Sequence, residues 1–307
     1  MRKNICIVII VLLTLFNLVS CGRNSLEAFF DEWHPETVDE RIGIYHQRKN
    51  TILLGNKEID VSRFYEHSTE KEIDGNNLLF YRLAIVDNIL YGYDHFFLKD
   101  ENGETTMNKY KIYAVDLDNK SVEYLYEQVF PYYADDEGNF NFVRICYSNR
   151  NIIMYDTLGD AVRINVDTSE HEDITKDDAL NSISKPQYIV SITETKNGEE
   201  ALEIIKGKNK RIISIDYMAK RNEYVRKISE LENYKFALPD FSDPRRGFFR
   251  NFTVVNDMIY IICRVLDSDG EQNAVLFSYD YENDKFQFLY HDFQVDCIEI
   301  DVIPVVE

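Results

Sequence analysis

From about Arg41 onward the apolar residues fall into short runs, some alternating strictly with polar positions and others continuous, with turn residues between them. A period of two marks strands, whose successive side chains point to opposite faces. Met258-Ile259-Tyr260-Ile261-Ile262 reads as a buried strand ending at Cys263. In the last strand, Val295 to Val302, Cys297, Glu299 and Asp301 alternate with Ile298, Ile300 and Val302. Earlier in the chain, Leu26, Phe29, Phe30 and Trp33 fall at helical spacing instead, in a short acidic segment. Hairpin turns are marked by Asn102-Gly103, Leu158-Gly159, Asn197-Gly198 and Asp269-Gly270, because glycine and asparagine accept the left-handed backbone that tight turns need.

The strands repeat. Asp116 to Tyr126 aligns without gaps on Asp280 to Tyr290: Asp116/Asp280, Asn119/Asn283, Leu125/Leu289 and Tyr126/Tyr290 coincide. Upstream, Val86 to Tyr91 matches Val255 to Tyr260. A weaker copy runs from Ile215-Asp216-Tyr217 to Tyr224-Val225, and a fainter one lies near Asn165-Val166-Asp167. An Asp that closes a strand accepts backbone N–H bonds from the turn that follows, which gives the repeat its physical reason. One unit reads as strand, hairpin, strand, Asp-led turn, strand. Such a unit cannot bury both faces alone, so several must stack. Units near 77–130, 140–178, 186–231 and 250–291, another in 41–75, and closure by the last strand predict an all-β fold, a β-propeller of about five to six blades. The alternative is a two-domain β-sandwich. The repeats resemble the degenerate ones of bacterial TolB-like and quinoprotein-like propellers, a resemblance that implies a fold and no activity.

The N-terminus decides location. Arg2 and Lys3 precede an apolar stretch from Ile5 to Val19, and Leu18-Val19-Ser20-Cys21 follows the order of an export signal. A spanning helix wants about 20 apolar residues, more than this stretch supplies. The four residues resemble the lipobox of bacterial lipoproteins. In that family the cysteine thiol receives a diacylglyceryl group, the signal is cut before the cysteine, and the new N-terminus is often acylated. The resemblance implies a signal peptide over 1–20, lipid attachment at Cys21, a short tether over 21–40, and a propeller-like domain over 41–307. It places the protein outside the cytoplasm, anchored to the cell membrane or outer membrane of a bacterial envelope. An uncleaved anchor and an ordinary secretory signal are the competing readings.

Loss of residues 1–20 removes Arg2 and Lys3 and no acidic residue, taking the formal charge from −20 to −22. Such a surface repels phosphate backbones, so nucleic acid is excluded as a partner, and it repels anionic headgroups, so the lipid must hold the membrane. Cys146, Cys263 and Cys297 remain, an odd number that permits at most one disulfide; a 263–297 bridge is compatible with the pattern and not demanded. The three read as buried or half-buried spectator thiols.

Chemistry is sparse. His34 lies among acidic residues next to Pro35, which reads as turn formation. Tyr93-Asp94-His95 follows a strand and reads as structural in the absence of a second cluster. The loops 135–139 and 267–270 resemble cation sites, yet aligning Gly138 or Gly270 with the sixth position of a calcium loop puts Arg144 or Leu276 where a bidentate Glu is required. Arg245, Arg246 and Arg250, flanked by Phe248 and Phe249, form a local basic patch. No nucleophile elbow, zinc-protease motif, phosphate loop or dinucleotide fingerprint occurs. No catalytic, metal or cofactor residue is assigned. The expected function is binding, with an envelope protein or a glycan as partner. The alternative is a carbohydrate-active hydrolase or lyase with carboxylates converging at the propeller axis.

Overall fold

The computed structural model describes residues 39–61, 81–132, 141–183, 187–230, 235–236, 249–266, 272–292 and 299–306. Cys21, His34, the acidic loops at 135–139 and 267–270, Cys297, Arg245 and Arg246 lie outside them. The chain divides into two compact units, Asp39–Pro186 with Asp301–Glu307, and Gln187–Ile300.

The first unit opens with a meander of β1 (Ile42–His46), β2 (Thr51–Leu54) and β3 (Lys57–Asp60). A longer meander follows: β4 (Tyr81–Val86), β5 (Ile89–Lys99), β6 (Thr105–Asp116) and β7 (Ser121–Pro131). A third contains β8 (Arg144–Ser148), β9 (Asn151–Tyr155), β10 (Asp160–Asn165) and β11 (His171–Thr175), and ends in helix α1 (Lys176–Ser182).

The second unit holds β12 (Ile189–Glu194), β13 (Glu200–Lys206) and β14 (Asn209–Ser214), then helices α2 (Ile215–Ala219) and α3 (Glu223–Glu230). Its other sheet is built from β15 (Lys235–Phe236), β16 (Phe249–Val255), β17 (Met258–Leu266), β18 (Gln272–Asp280) and β19 (Lys285–Asp292), with β15 and β16 taking successive stretches of one edge of β17. The sheets are open and the class is all-β.

The last strand, β20 (Ile300–Val306), returns to the N-terminal meander, where Val305 N donates to Arg41 O at 2.8 Å. It also meets β4 in parallel over two rungs, Val305 with Ile85 and Val306 with Val86. Two meanders are thereby linked into one sheet of eight strands. Arg82 on β4 fixes the link: its guanidinium lies 3.9 Å from the Tyr45 ring centroid and 3.2 Å from Asp301. Packing here is close at Gly43 on β1: a Cβ there would sit 2.8 Å from Ile85 Cδ1, which would have to shift.

The repeated residues make the same turns. Asp116, closing β6, accepts from the N–H groups of Asp118 and Asn119, and its second oxygen accepts the Asn119 side-chain amide at 2.8 Å. Asp280, closing β18, accepts from Asn283 N at 3.0 Å and the Asn283 amide at 2.7 Å. Asn165, closing β10, accepts from Asp167 N and Thr168 N. Gly103, Gly159 and Gly198 all have positive φ in the hairpins expected of them. The pairs Asp87-Asn88 and Asn149-Arg150 have positive φ at both residues, the geometry of a type I′ turn.

One repeat departs from the expected strands. The weak repeat copy at 215–225 is helical, not a strand. Ser214 closes β14, as Asp116 closes β6, but its hydroxyl accepts from Tyr217 N at 3.2 Å and caps a helix. Met218, Tyr224, Val225 and Ile228 are then buried from the two helices against Ile259, Phe277 and Phe288. Tyr224 stacks on Phe288 with centroids 4.2 Å apart.

Candidate functional site

Tyr93-Asp94-His95 lies in mid-β5, and the strand separates its members. Tyr93 and His95 point to one face and Asp94 to the other, because side chains alternate. Asp94 is fully buried and pairs in register with Lys111. The same face carries Phe96, with the Lys109 and Lys111 ammonium groups 5.5 and 5.6 Å from its ring centroid, and both lysines lie 3.9 Å from Glu127. The three adjacent residues therefore form no joint site.

The face that Tyr93 and His95 share is an aromatic stripe. Strand register places Tyr81, Tyr93, Ile112 and Tyr126 in one row, His95, Tyr110 and Gln128 in the next, and Phe97, Asn108 and Phe130 in the third. Tyr81 stacks on Tyr93 at 4.8 Å and 13°. His95 lies on Tyr110 at 4.5 Å and tilts against Phe97 at 4.6 Å. Phe97 in turn meets Tyr132 edge-on at 5.7 Å. Polar groups are set among the rings: His95 Nε2 is 2.9 Å from Asn108 Oδ1, and the Tyr126 hydroxyl donates to Gln128 Oε1 at 2.8 Å.

Among the described residues, the shorter strands of the next sheet leave part of the stripe uncovered. β5, β6 and β7 run 11, 12 and 11 residues, against 5 or 6 for β8 to β11. Tyr91, Ile112 and Phe130 pack with Ile152, Met154, Val162 and Ile164 of the shorter sheet. Tyr81 and Phe97 stay 39% and 48% exposed. Burial lowers the His95 pKa, an effect the Asn108 bond only partly opposes, and pushes Tyr93 up to about 12. The imidazole is thus neutral at neutral pH. With Nε2 donating to Asn108, its Nδ1 is an acceptor.

Three further polar clusters hold turns or a helix. Arg150 donates to both oxygens of Asp167 at 2.6–2.9 Å and to Asp87 at 3.2 Å. Asp284 accepts from the Tyr217 hydroxyl at 2.6 Å, the Tyr279 hydroxyl at 2.8 Å and Arg221 Nε at 2.7 Å. Burial works to raise the Asp284 pKa, but those hydrogen bonds outweigh it and hold the carboxyl below its usual value. Asp156 accepts from Asn141, Gly159 and Asp160. Cys146 is half-buried, which pushes its thiol up to about 11, and Cys263 is buried in the core. Among the described residues no three His, Cys, Asp or Glu side chains are placed to hold a metal. No helix of the described residues is long and apolar enough to cross a membrane.

Sequence reasoning marked Tyr93 and His95 and missed Tyr81, Phe97, Tyr110 and Gln128. The period-two spacing of Tyr91, Tyr93, His95 and Phe97 was the available signal; the partners across the sheet depend on register.

No family model matches the chain, and no curated protein matches it. Among solved structures, it is similar to the catalytic domain of a GH62 alpha-L-arabinofuranosidase from Coprinopsis cinerea, at 9% identity and TM-score 0.28, over 72% of this chain and 70% of that one. The alpha-L-arabinofuranosidase PaAbf62A from Podospora anserina, in complex with cellotriose, overlays at 8% identity and TM-score 0.29, over 73% and 71%. The N-terminal domain of Nup159 overlays at 8% identity and TM-score 0.20, over 85% and 70%. Likenesses this distant carry no argument about what the chain does.

Proposed function

We propose that this chain is a lipid-anchored, extracytoplasmic β-propeller of a bacterial envelope that acts by binding. The anchor reading rests on the basic start, the apolar stretch and Leu18-Val19-Ser20-Cys21. Two or three acyl chains hold a protein firmly, at about 0.8 kcal/mol per buried methylene, where one is marginal. Three features support a ring of about five to six blades: the recurring strand–turn unit, the shared Asx turns at Asp116, Asn165 and Asp280, and the return of β20 to the N-terminal meander.

The observation that carries binding over catalysis is the half-exposed aromatic stripe, against carboxylates such as Asp156 and Asp167, committed to turns, and Asp284, committed to Tyr217, Tyr279 and Arg221. A hydrolase needs a carboxylate pair converging on one bond.

Fractionating cells that express Cys21→Ser tests the anchor; the variant should leave the membrane fraction, and continued membrane association would overturn it. Crosslinking in intact cells tests the binding role. A specific partner, protein or glycan, is the expected product, and bond cleavage in a supplied glycan would overturn it in favour of an enzyme.

A further inference from the structure

Resting on that binding role, we infer that the uncovered end of the aromatic stripe is a platform for the pyranose rings of a neutral glycan. A pyranose is amphipathic: its C–H faces are apolar and its hydroxyls point outward, so it suits exposed aromatic rings interleaved with neutral hydrogen-bonding groups. Tyr81 and Phe97 supply the rings. Each is braced from beside or below, Tyr81 by Tyr93 and Phe97 by His95 and Tyr132, so little side-chain freedom remains to be lost on binding.

The polar groups lie inside the ring cluster. In the middle row the neutral His95 and Gln128 flank Tyr110, with the Tyr126 hydroxyl at Gln128. Groove recognition of a proline-rich peptide instead reads an extended backbone along an aromatic groove.

Charge selects further. None of the three rows contains an Asp, Glu, Lys or Arg; Asp94, Lys109, Lys111 and Glu127 all occupy the other face. Nothing in the rows would pair with a phosphate, sulfate or uronate, and the net charge, −20 for the full chain and −22 without residues 1–20, repels all three.

The test is native electrophoresis of the full mature chain in gels containing hydroxyethyl cellulose, glucomannan or dextran, with polygalacturonate as the acidic counterpart. At least one neutral polymer should retard the protein, and polygalacturonate should not. Tyr81→Ala and Phe97→Ala should each weaken retardation about tenfold. Tyr124→Ala, an exposed ring that meets Tyr113 instead of the stripe, should leave it unchanged. If Phe97→Ala fails to fold, Phe97→Leu keeps the apolar volume and removes the aromatic face, and the same loss is expected. Failure of all three neutral polymers overturns the inference, as does retardation that survives both ring substitutions. Binding of a decaproline peptide through Phe97 in place of any polymer overturns it in favour of peptide recognition. Membrane fractionation and crosslinking are independent of these gels, so failure here leaves the anchored binding role standing.

Discussion

The His95 imidazole lies flat on the Tyr110 ring, centroids 4.5 Å apart and planes within 3°. The ring is half-buried, and burial resists its protonation because charging it means desolvating a cation.

That resistance sets a pH dependence. The folded-state pKa of His95 is lowered, chiefly by burial, so protons bind the unfolded chain more readily. The neutral His95 contribution is fully present above the unfolded value of about 6.5 and is lost as pH falls from there towards the depressed folded value. Denaturant unfolding of the full chain should show stability falling across that window. His95→Gln should flatten that part of the profile; an unchanged slope would contradict the assignment.

Asp284 acts in the opposite sense. Its carboxyl is held below the usual value, so the stability it contributes is present above the unfolded value of about 3.9 and is lost as pH falls through the folded one. Asp284→Ala removes the acceptor of Tyr217, Tyr279 and Arg221 together. A loss of about 1–3 kcal/mol is expected, read as a lower denaturation midpoint at pH 7. The same substitution should have less effect near pH 3.

Gly43 and Gly55 separate crowding from backbone strain. An added Cβ at Gly43 meets Ile85 Cδ1 at 2.8 Å, whereas at Gly55 there is open space and a φ of +58°. Gly43→Ala should cost about 1–3 kcal/mol through overpacking. Gly55→Ala should cost about 1 kcal/mol through strain alone. Pairing Gly43→Ala with Ile85→Val should recover part of the first loss and none of the second.

Ser214 caps the helix that follows β14. Ser214→Ala removes the cap on Tyr217 N and should cost about 1 kcal/mol, while Ser214→Asp should keep the cap. Hydrogen exchange at Tyr217 and Met218 should quicken in the first variant only.

By itself, the sequence determined what depends on a few neighbouring residues. Period-two alternation located the strands, and the Asp116/Asn119 and Asp280/Asn283 pairs located turns that the structure shows closed by the same carboxylate–amide contacts. Glycine placed three hairpins at positive φ. Only the tertiary structure could decide the rest. Ile215-Asp216-Tyr217 suits a strand end or a helix start equally well; burial of Met218, Tyr224, Val225 and Ile228 against the β17–β18–β19 sheet settles it as helix. Adjacency in the chain grouped Tyr93, Asp94 and His95, and alternation across the pleat parts them. The stripe itself joins Tyr81 on β4 to Phe97 on β5 and Gln128 on β7, residues brought together by strand register, which is fixed by long-range pairing and core burial that no local pattern encodes.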